Sequence, residues 1–138
     1  MRPAAGGAGK WQVRIMDRIH EWTMEQSGVR VIFELYRLNR DYLVVASGGH
    51  MPHIGAVSLN EQTVASPGHK EDVITSMMAE RIRNKIRQRA DNKMFPLSNI
   101  CVVGGIHVDH ITKEQIRAVV EMCEAAADCI AEYMADPS

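Results

Sequence analysis

Alternation between apolar and polar residues predicts a run of strands in the first half of the chain. Apolar side chains recur at every second position over residues 29–35, which is the spacing of one face of a strand. Turn-forming residues at 39–41 lead into a second apolar run at 42–47, and a third strand is predicted at 54–59. The stretch 60–68 contains Ser-Pro-Gly and is predicted to be a loop.

Apolar side chains at helical spacing predict two helices in the second half, on either side of an apolar strand at 100–103. The first helix is predicted to begin near 69–72. The second is predicted to begin at a capping box formed by Thr112 and Gln115 and to end near Met134. The predicted inward side chains are Ile74, Met78, Ile82 and Ile86 in the first helix, and Ile116, Val119, Val120, Cys123, Ala127 and Ile130 in the second. This order predicts an α/β fold of the α+β kind, a two-layer sandwich with a mostly antiparallel sheet and two main helices on one face.

The 138 residues are expected to form a single domain at 23–138, preceded by a flexible or weakly ordered N-terminal segment at 1–22. Part of that segment, 11–22, fits either a helical stripe or an alternating strand added at an edge. It also contains Trp11 and Trp22, which so short a segment cannot bury by itself. Since large exposed apolar groups usually mark an interface, these tryptophans predict a homo-oligomer, with contact to a partner protein as the alternative.

Composition and charge argue against several classes of function. The formal net charge of -1 argues against bulk electrostatic binding to nucleic acid. No apolar stretch approaches the length of a membrane-spanning helix, so no membrane association is expected. The three cysteines are an odd number without a close pair, which indicates buried free thiols in a reducing compartment and predicts a cytoplasmic protein.

The candidate functional residues lie around two Gly-Gly pairs, each placed after a predicted strand. Glycine lets a backbone approach a ligand closely, and the strand holds the residues that follow. The first segment contains Gly48, Gly49, His50 and His53, and the second contains Gly104, Gly105, His107 and His110. Imidazole is a common metal ligand and also a hydrogen-bonding and acid–base group, so both segments are suited to a binding site.

Spacing alone leaves three uses of these histidines open. They can hold a metal, with His53, His69 and His107 as the first candidates and His50 and His110 as weaker ones. They can line a site for an organic ligand, or they can only order loops and cap elements. No nucleophile–base pair or catalytic motif accompanies them in the sequence, so no catalytic residue is predicted.

The predicted start of the first helix is a candidate anion site. Backbone N–H groups at a helix N-terminus attract phosphate, and Lys70 would add a positive charge there. The alternative is an ordinary helix start with a solvated lysine.

Three blocks of the chain resemble a known family. Residues 48–57, 68–72 and 105–116 are similar, in this order, to the small LpdD-type subunit of hydroxyaryl acid decarboxylases, which is described as a prenylated-flavin chaperone. The resemblance extends over about 23–134. Three matched blocks in the right order make it specific. They contain all five candidate histidines, of which His53, His69 and His107 fit the pattern of the family, while the positions of His50 and His110 are freer in it.

The resemblance implies an accessory protein and not an enzyme. It implies binding of prenylated flavin mononucleotide, with a divalent metal ion as an open addition. It also implies assistance to the maturation of that cofactor, or to its delivery to the large subunit of a UbiD-type decarboxylase, which carries out the decarboxylation. The cofactor-binding residues that it implies are Gly48, Gly49, His53, His69, Lys70, Gly105 and His107. A small metal-dependent enzyme and a purely structural decarboxylase subunit are the alternatives.

Overall fold

One sheet covered on one face by helices makes up the part of the chain that the structure describes. A computed structural model describes residues 16–68, 70–89 and 98–135. Its strands are β1 (Asp17–Gln26), β2 (Val29–Leu38), β3 (Asp41–Gly49), β4 (Ala56–Leu59), β5 (Gln62–Ala65) and β6 (Ile100–His107). Its helices are α1 (Asp72–Arg89) and α2 (Lys113–Ala135). Of the helices in these ranges, neither is long and apolar enough to cross a membrane.

The sheet has a parallel pair at its centre. The strand order is β1-β2-β3-β6-β4-β5. Strands β3 and β6 run parallel, and the other neighbouring pairs are antiparallel. The predicted α+β fold with a mostly antiparallel sheet is therefore confirmed. Between β3 and β6 the chain forms the β4–β5 hairpin and α1. Because β3 and β6 run parallel, their C-terminal ends lie at the same end of the sheet.

The core lies between the sheet and the two helices. Alternate residues of β2, β3 and β6 are completely buried in it: Val31, Phe33, Leu35, Val44, Ala46, Ile100 and Val102. On α1, Met78 and Ile82 are buried, and Ile74 and Ile86 pack partly buried against the same cluster. The predicted inward stripe of the first helix is confirmed.

Helix α2 begins at its predicted capping box. Thr112 Oγ1 accepts a hydrogen bond from the Gln115 backbone N–H at 3.1 Å, and Gln115 Oε1 accepts one from the Thr112 backbone N–H at 3.0 Å. The predicted inward residues Val119, Cys123, Ala127 and Ile130 are buried. The prediction is wrong for Ile116, whose exposed fraction is 49%, because the buried stripe begins only at Ala118.

Strand β5 was not predicted from the sequence, because 60–68 carries loop-forming residues. The third predicted strand is β4, which begins at Ala56, and the chain turns through Asn60 and Glu61 into β5. Asn60 has a φ of 53°, a left-handed conformation that asparagine tolerates. As an edge strand with mostly exposed residues, β5 has no buried face to impose an apolar alternation on the sequence.

Strand β1 includes the last residues of the expected N-terminal segment. Residues 17–22 belong to a strand that pairs with β2, so for them the alternative of a strand added at the sheet edge is confirmed. The expected boundary between segment and domain at residue 22 falls inside β1. Trp22 is half-buried: its ring lies 4.3 Å from that of His20 and 5.8 Å from that of Tyr133, between ring centroids. Trp11 lies outside the described residues.

The cysteines differ in environment more than the sequence predicts. Cys123 is buried, and burial raises the pKa of its thiol to about 12. Cys101 is half-buried, and burial raises its thiol pKa as well. Cys129 is exposed, so the prediction of buried thiols is wrong for it. It lies on the outer side of α2, beyond the buried stripe.

Candidate functional site

The two Gly-Gly segments meet at one end of the sheet. Because β3 and β6 are parallel, Gly48 pairs with Ile106 and Gly49 pairs with His107. The apolar runs had suggested that the glycines follow the strands. In the structure the glycines are instead the final or near-final residues of β3 and β6. Backbone pairing continues beyond the apolar side chains, so the site begins inside the sheet.

Other backbone segments of the protein approach the glycines of β3 closely. A β-carbon on Gly48 would collide with the carbonyl oxygen of Arg30. A β-carbon on Gly49 would collide with the carbonyl oxygen of His107, and the φ of 76° at Gly49 favours glycine in any case. These glycines therefore allow close contact within the chain.

Gly105 lets the loop after β3 cross over β6. A β-carbon on Gly105 would overlap the carbonyl oxygen of His53. The Gly55 backbone N–H donates a hydrogen bond to the Gly104 carbonyl oxygen at 2.8 Å, which holds the loop against the strand. The space that the sequence assigns to a ligand beside Gly105 is taken by this loop.

His53 is held by acceptors at both ring nitrogens. Its Nδ1 lies 3.1 Å from the carbonyl oxygen of Met51, and its Nε2 lies 2.7 Å from Glu71 Oε2. The Glu71 side chain is only 12% exposed. A β-carbon on Gly55 would collide with the Glu71 carboxylate, so glycine at this position gives that carboxylate its place beside the ring.

The contact with Met51 fixes the tautomer of His53. A carbonyl oxygen only accepts, so Nδ1 carries the hydrogen of its bond to Met51. Nε2 faces the Glu71 carboxylate, so the two side chains form a close pair at the edge of the site.

His107 and His50 are linked through Asp109. His107 Nε2 lies 2.9 Å from Asp109 Oδ1, and His50 Nδ1 accepts a hydrogen bond from the Asp109 backbone N–H at 3.2 Å. The hydrogen bond from His107 lowers the pKa of Asp109, and the electrostatic interaction with the nearby His107 and His50 rings lowers it further. Both imidazoles are exposed, so the cluster is open to a ligand.

The structure brings His53 and His107 together. Their ring centroids are 6.2 Å apart, with the ring planes at 75°. His50 joins them through Asp109, while His110 lies in the turn before α2 with a φ of 53°. His69 lies outside the described residues, so its predicted place in the site stays a prediction.

The start of α1 differs from a simple anion site. The Lys70 side chain is exposed, but its backbone N–H donates a hydrogen bond to Glu71 Oε1 at 3.0 Å. Asp72 adds a second acid in the first turn. Because carboxylates already stabilise the positive end of the helix, the charge available to an anion comes from the Lys70 ammonium group.

Metal binding has no support in the described ranges. Within 16–68, 70–89 and 98–135, no three side chains of the His, Cys, Asp and Glu types gather closely enough to hold a metal ion. The acids beside His53 and His107 contact the imidazoles themselves. Such contacts fix the orientation of the two rings.

Two acids at the site were not assigned to it from the sequence. Neither Glu71 nor Asp109 is among the candidate residues predicted from the sequence. The available signal was position: Glu71 follows His69 and Lys70 in one block, and Asp109 lies between His107 and His110. Which ring each acid contacts depends on loop geometry that spacing does not reveal.

Comparison with known proteins places these residues within one family. The family described as the prenylated flavin chaperone LpdD-like domain matches residues 25–135. Protein LpdD of Lactiplantibacillus plantarum is 33% identical over 113 residues, which cover 75% of this chain and 76% of that protein. His53, Glu71 and His107 all lie inside the range that the family matches.

Proposed function

Because the chain belongs to the prenylated flavin chaperone LpdD-like family, we propose that it binds prenylated flavin mononucleotide at the sheet end around His53 and His107. We further propose that it assists the maturation of this cofactor or delivers it to a UbiD-type decarboxylase, as the resemblance of its sequence implies. Decarboxylation would then belong to the partner, and this chain would act as a non-catalytic accessory protein.

The observation that carries the proposal is the pairing of two imidazoles at an open edge. His53 and His107 have ring centroids 6.2 Å apart, and each ring is oriented by an acid. His107 can hydrogen-bond to the carbonyl oxygens and ring nitrogens that a flavin ring system offers, and His53, whose two ring nitrogens contact Met51 and Glu71, can pack against the flavin ring. When bound, the cofactor supplies its reactive prenylated ring, and this chain's residues bind and orient it.

The phosphate of the cofactor fits the Lys70 side chain better than the helix backbone. Glu71 already accepts the Lys70 backbone N–H, whereas the Lys70 ammonium group is exposed at the same end of the sheet as His53. Charge-assisted contacts to phosphate are among the stronger hydrogen bonds. Gly48, Gly49 and Gly105 would contribute indirectly, by bringing the histidine loops together.

A purely structural decarboxylase subunit is the second candidate. The observation in its favour is that His53 contacts Glu71, His107 contacts Asp109, and His50 accepts a backbone N–H. In that case the histidines order the loops and need no ligand. The two functions differ in one measurable respect, which is whether the isolated chain binds the cofactor.

A loading and transfer experiment tests the proposed function. Prenylated flavin mononucleotide is prepared without oxygen by a flavin prenyltransferase and mixed with the purified chain, and native mass spectrometry counts the cofactor bound. The loaded chain is then added to a UbiD-type apo-decarboxylase, and carbon dioxide release is followed. We expect bound cofactor, transfer to the decarboxylase and no decarboxylation by this chain alone. A chain that binds no cofactor would support the structural alternative, and carbon dioxide release by the chain alone would contradict the proposal.

The Lys70→Ala variant is expected to bind the cofactor about ten- to a hundredfold more weakly, because a charge-assisted contact contributes roughly 1.5–3 kcal/mol. Anaerobic titration followed by absorbance measures the affinity. Lys85→Ala is the matched control, since it removes the same charge from α1 about 20 Å from the start of the helix. Equal affinities of the two variants would place the phosphate away from Lys70.

A further inference from the structure

The Glu71 carboxylate connects two separate segments of the candidate site. Its Oε2 lies 2.7 Å from His53 Nε2, and its Oε1 accepts a hydrogen bond from the Lys70 backbone N–H at 3.0 Å. One oxygen therefore contacts the loop after β3, and the other contacts the residues that lead into α1. His53 and Lys70 are the residues proposed to contact the flavin ring and the phosphate, so the carboxylate lies between the two halves of the proposed cofactor site.

Helix α1 fixes the backbone that carries this carboxylate. Glu71 immediately precedes α1, and its carbonyl oxygen accepts a hydrogen bond from the Thr75 backbone N–H at 3.0 Å, which extends the helical pattern back to Glu71. The helix is held on the core by Met78 and Ile82, which are completely buried. A side chain that starts from such a rigid element can hold a neighbouring loop in one place.

The carboxylate is covered by the residues that it holds. The Glu71 side chain is only 12% exposed, and the Nε2 atom of His53 that faces it is itself buried. Gly55 makes this burial possible, because a β-carbon there would collide with the carboxylate. Glu71 is therefore placed to act on a ligand through Lys70 and His53, without touching the ligand itself.

We propose that Glu71 is a positioning residue that couples the Lys70 contact with the cofactor phosphate to the His53 contact with the flavin ring. This inference rests on the proposed cofactor function. With Glu71 in place, both segments are ordered before a ligand arrives, so a ligand with a ring and a phosphate meets both contacts at once. Without it, binding has to order each segment, and the Lys70 contact contributes less to affinity.

An effect of the Glu71 charge alone would have the opposite sign. A carboxylate close to Lys70 weakens the attraction of a phosphate, so its removal would strengthen binding. Glu71→Gln and Glu71→Ala both remove the charge, but only glutamine keeps an oxygen for the Lys70 N–H. Its amide N–H can also donate to His53 Nε2, which is an acceptor in the neutral tautomer that the Met51 contact fixes.

Anaerobic titrations with prenylated flavin mononucleotide test the coupling by comparing Lys70→Ala in three backgrounds. In the unchanged chain, Lys70→Ala is expected to weaken binding about ten- to a hundredfold. In the Glu71→Ala background the same change is expected to weaken it less than about threefold, because Lys70 is no longer held beside His53. In the Glu71→Gln background the full effect of Lys70→Ala is expected to remain.

Glu80→Ala is the matched control for loss of an acid from this helix. Glu80 is exposed on α1, about 13 Å along the helix axis from Glu71, and its loss is expected to leave the Lys70 effect unchanged. Melting temperatures check that each variant folds. Glu71→Asp replaces Glu71→Ala if the latter does not fold, because a side chain one methylene shorter cannot keep both contacts. An undiminished Lys70 effect in these backgrounds, or a Lys70 effect that Glu71→Gln also abolishes, would overturn the coupling.

Hydrogen exchange of the Lys70 amide, measured by NMR without cofactor, tests the connection itself. Exchange is expected to be about tenfold faster in Glu71→Ala and unchanged in Glu71→Gln. His53→Ala is also expected to accelerate it, because the carboxylate loses the ring that orients it. An unchanged chain that binds no cofactor would contradict the proposed function, and these exchange rates would still decide whether Glu71 connects the two segments. Equal Lys70 rates in the unchanged chain and in Glu71→Ala would overturn that connection whatever the cofactor result.

Discussion

The Gly105→Ala variant is expected to lose about 3 kcal/mol of the free energy of unfolding, or to fail to fold. The added β-carbon would overlap the carbonyl oxygen of His53, and backbone atoms on both sides leave no flexible side chain to move away. The loop after β3 would have to leave β6, which breaks the bond from the Gly55 N–H to the Gly104 carbonyl oxygen. Urea unfolding and thermal melts measure the loss.

Gly68→Ala is the control for the conformational effect of replacing glycine. Gly68 has a φ of 81°, but a β-carbon there would meet nothing within 4 Å. The expected loss is about 1–2 kcal/mol, from the left-handed backbone alone. Equal stability of Gly105→Ala and Gly68→Ala would contradict this prediction. It would mean that the loop crossing over β6 does not require glycine at position 105.

The double variant His53→Ala/His107→Ala is expected to weaken binding of prenylated flavin mononucleotide about ten- to a hundredfold. His107 would lose a hydrogen bond to the cofactor of roughly 1.5–3 kcal/mol, and His53, whose ring nitrogens contact Met51 and Glu71, would lose its packing against the flavin ring. Anaerobic titration of the cofactor measures the affinity, with melting temperatures recorded alongside.

His20→Ala provides the matched histidine control. His20 lies on β1 beside Trp22 and Tyr133, away from the sheet end where His53 and His107 meet. Its loss is expected to leave the cofactor affinity unchanged. An unchanged affinity in the double variant would move the cofactor site elsewhere, and a double variant that no longer folds would favour the loop-ordering role of the histidines.

Local sequence patterns predicted most of the elements but not their edges. The alternation over 29–35 predicted β2, and the spacing of Met78 and Ile82 predicted the buried stripe of α1, because burial on one face imposes those periods. The same reasoning missed β5 and left β1 ambiguous, because edge strands have little buried surface to impose a period.

The candidate site was predicted in part. The Gly-Gly-His segments identified His53 and His107 as candidates, and the structure brings their rings close together. The assignment of the glycines to ligand contact did not anticipate that the chain's own backbone would approach them. Glu71 was missed as the partner of His53, because that contact joins two segments separated by the β4–β5 hairpin.

By itself, the sequence determined the class of the fold, the stripe of α1, the capping box of α2 and the residues that resemble the family. Each of these follows from neighbours within a few positions along the chain or from matched blocks. Only the tertiary structure decided the parallel pairing of β3 with β6, the crossing of the loop over Gly105 and the contact between His53 and Glu71. The physical reason is that these features depend on which strands become neighbours, and strand order is set by packing of the whole core and not by the period of any one strand.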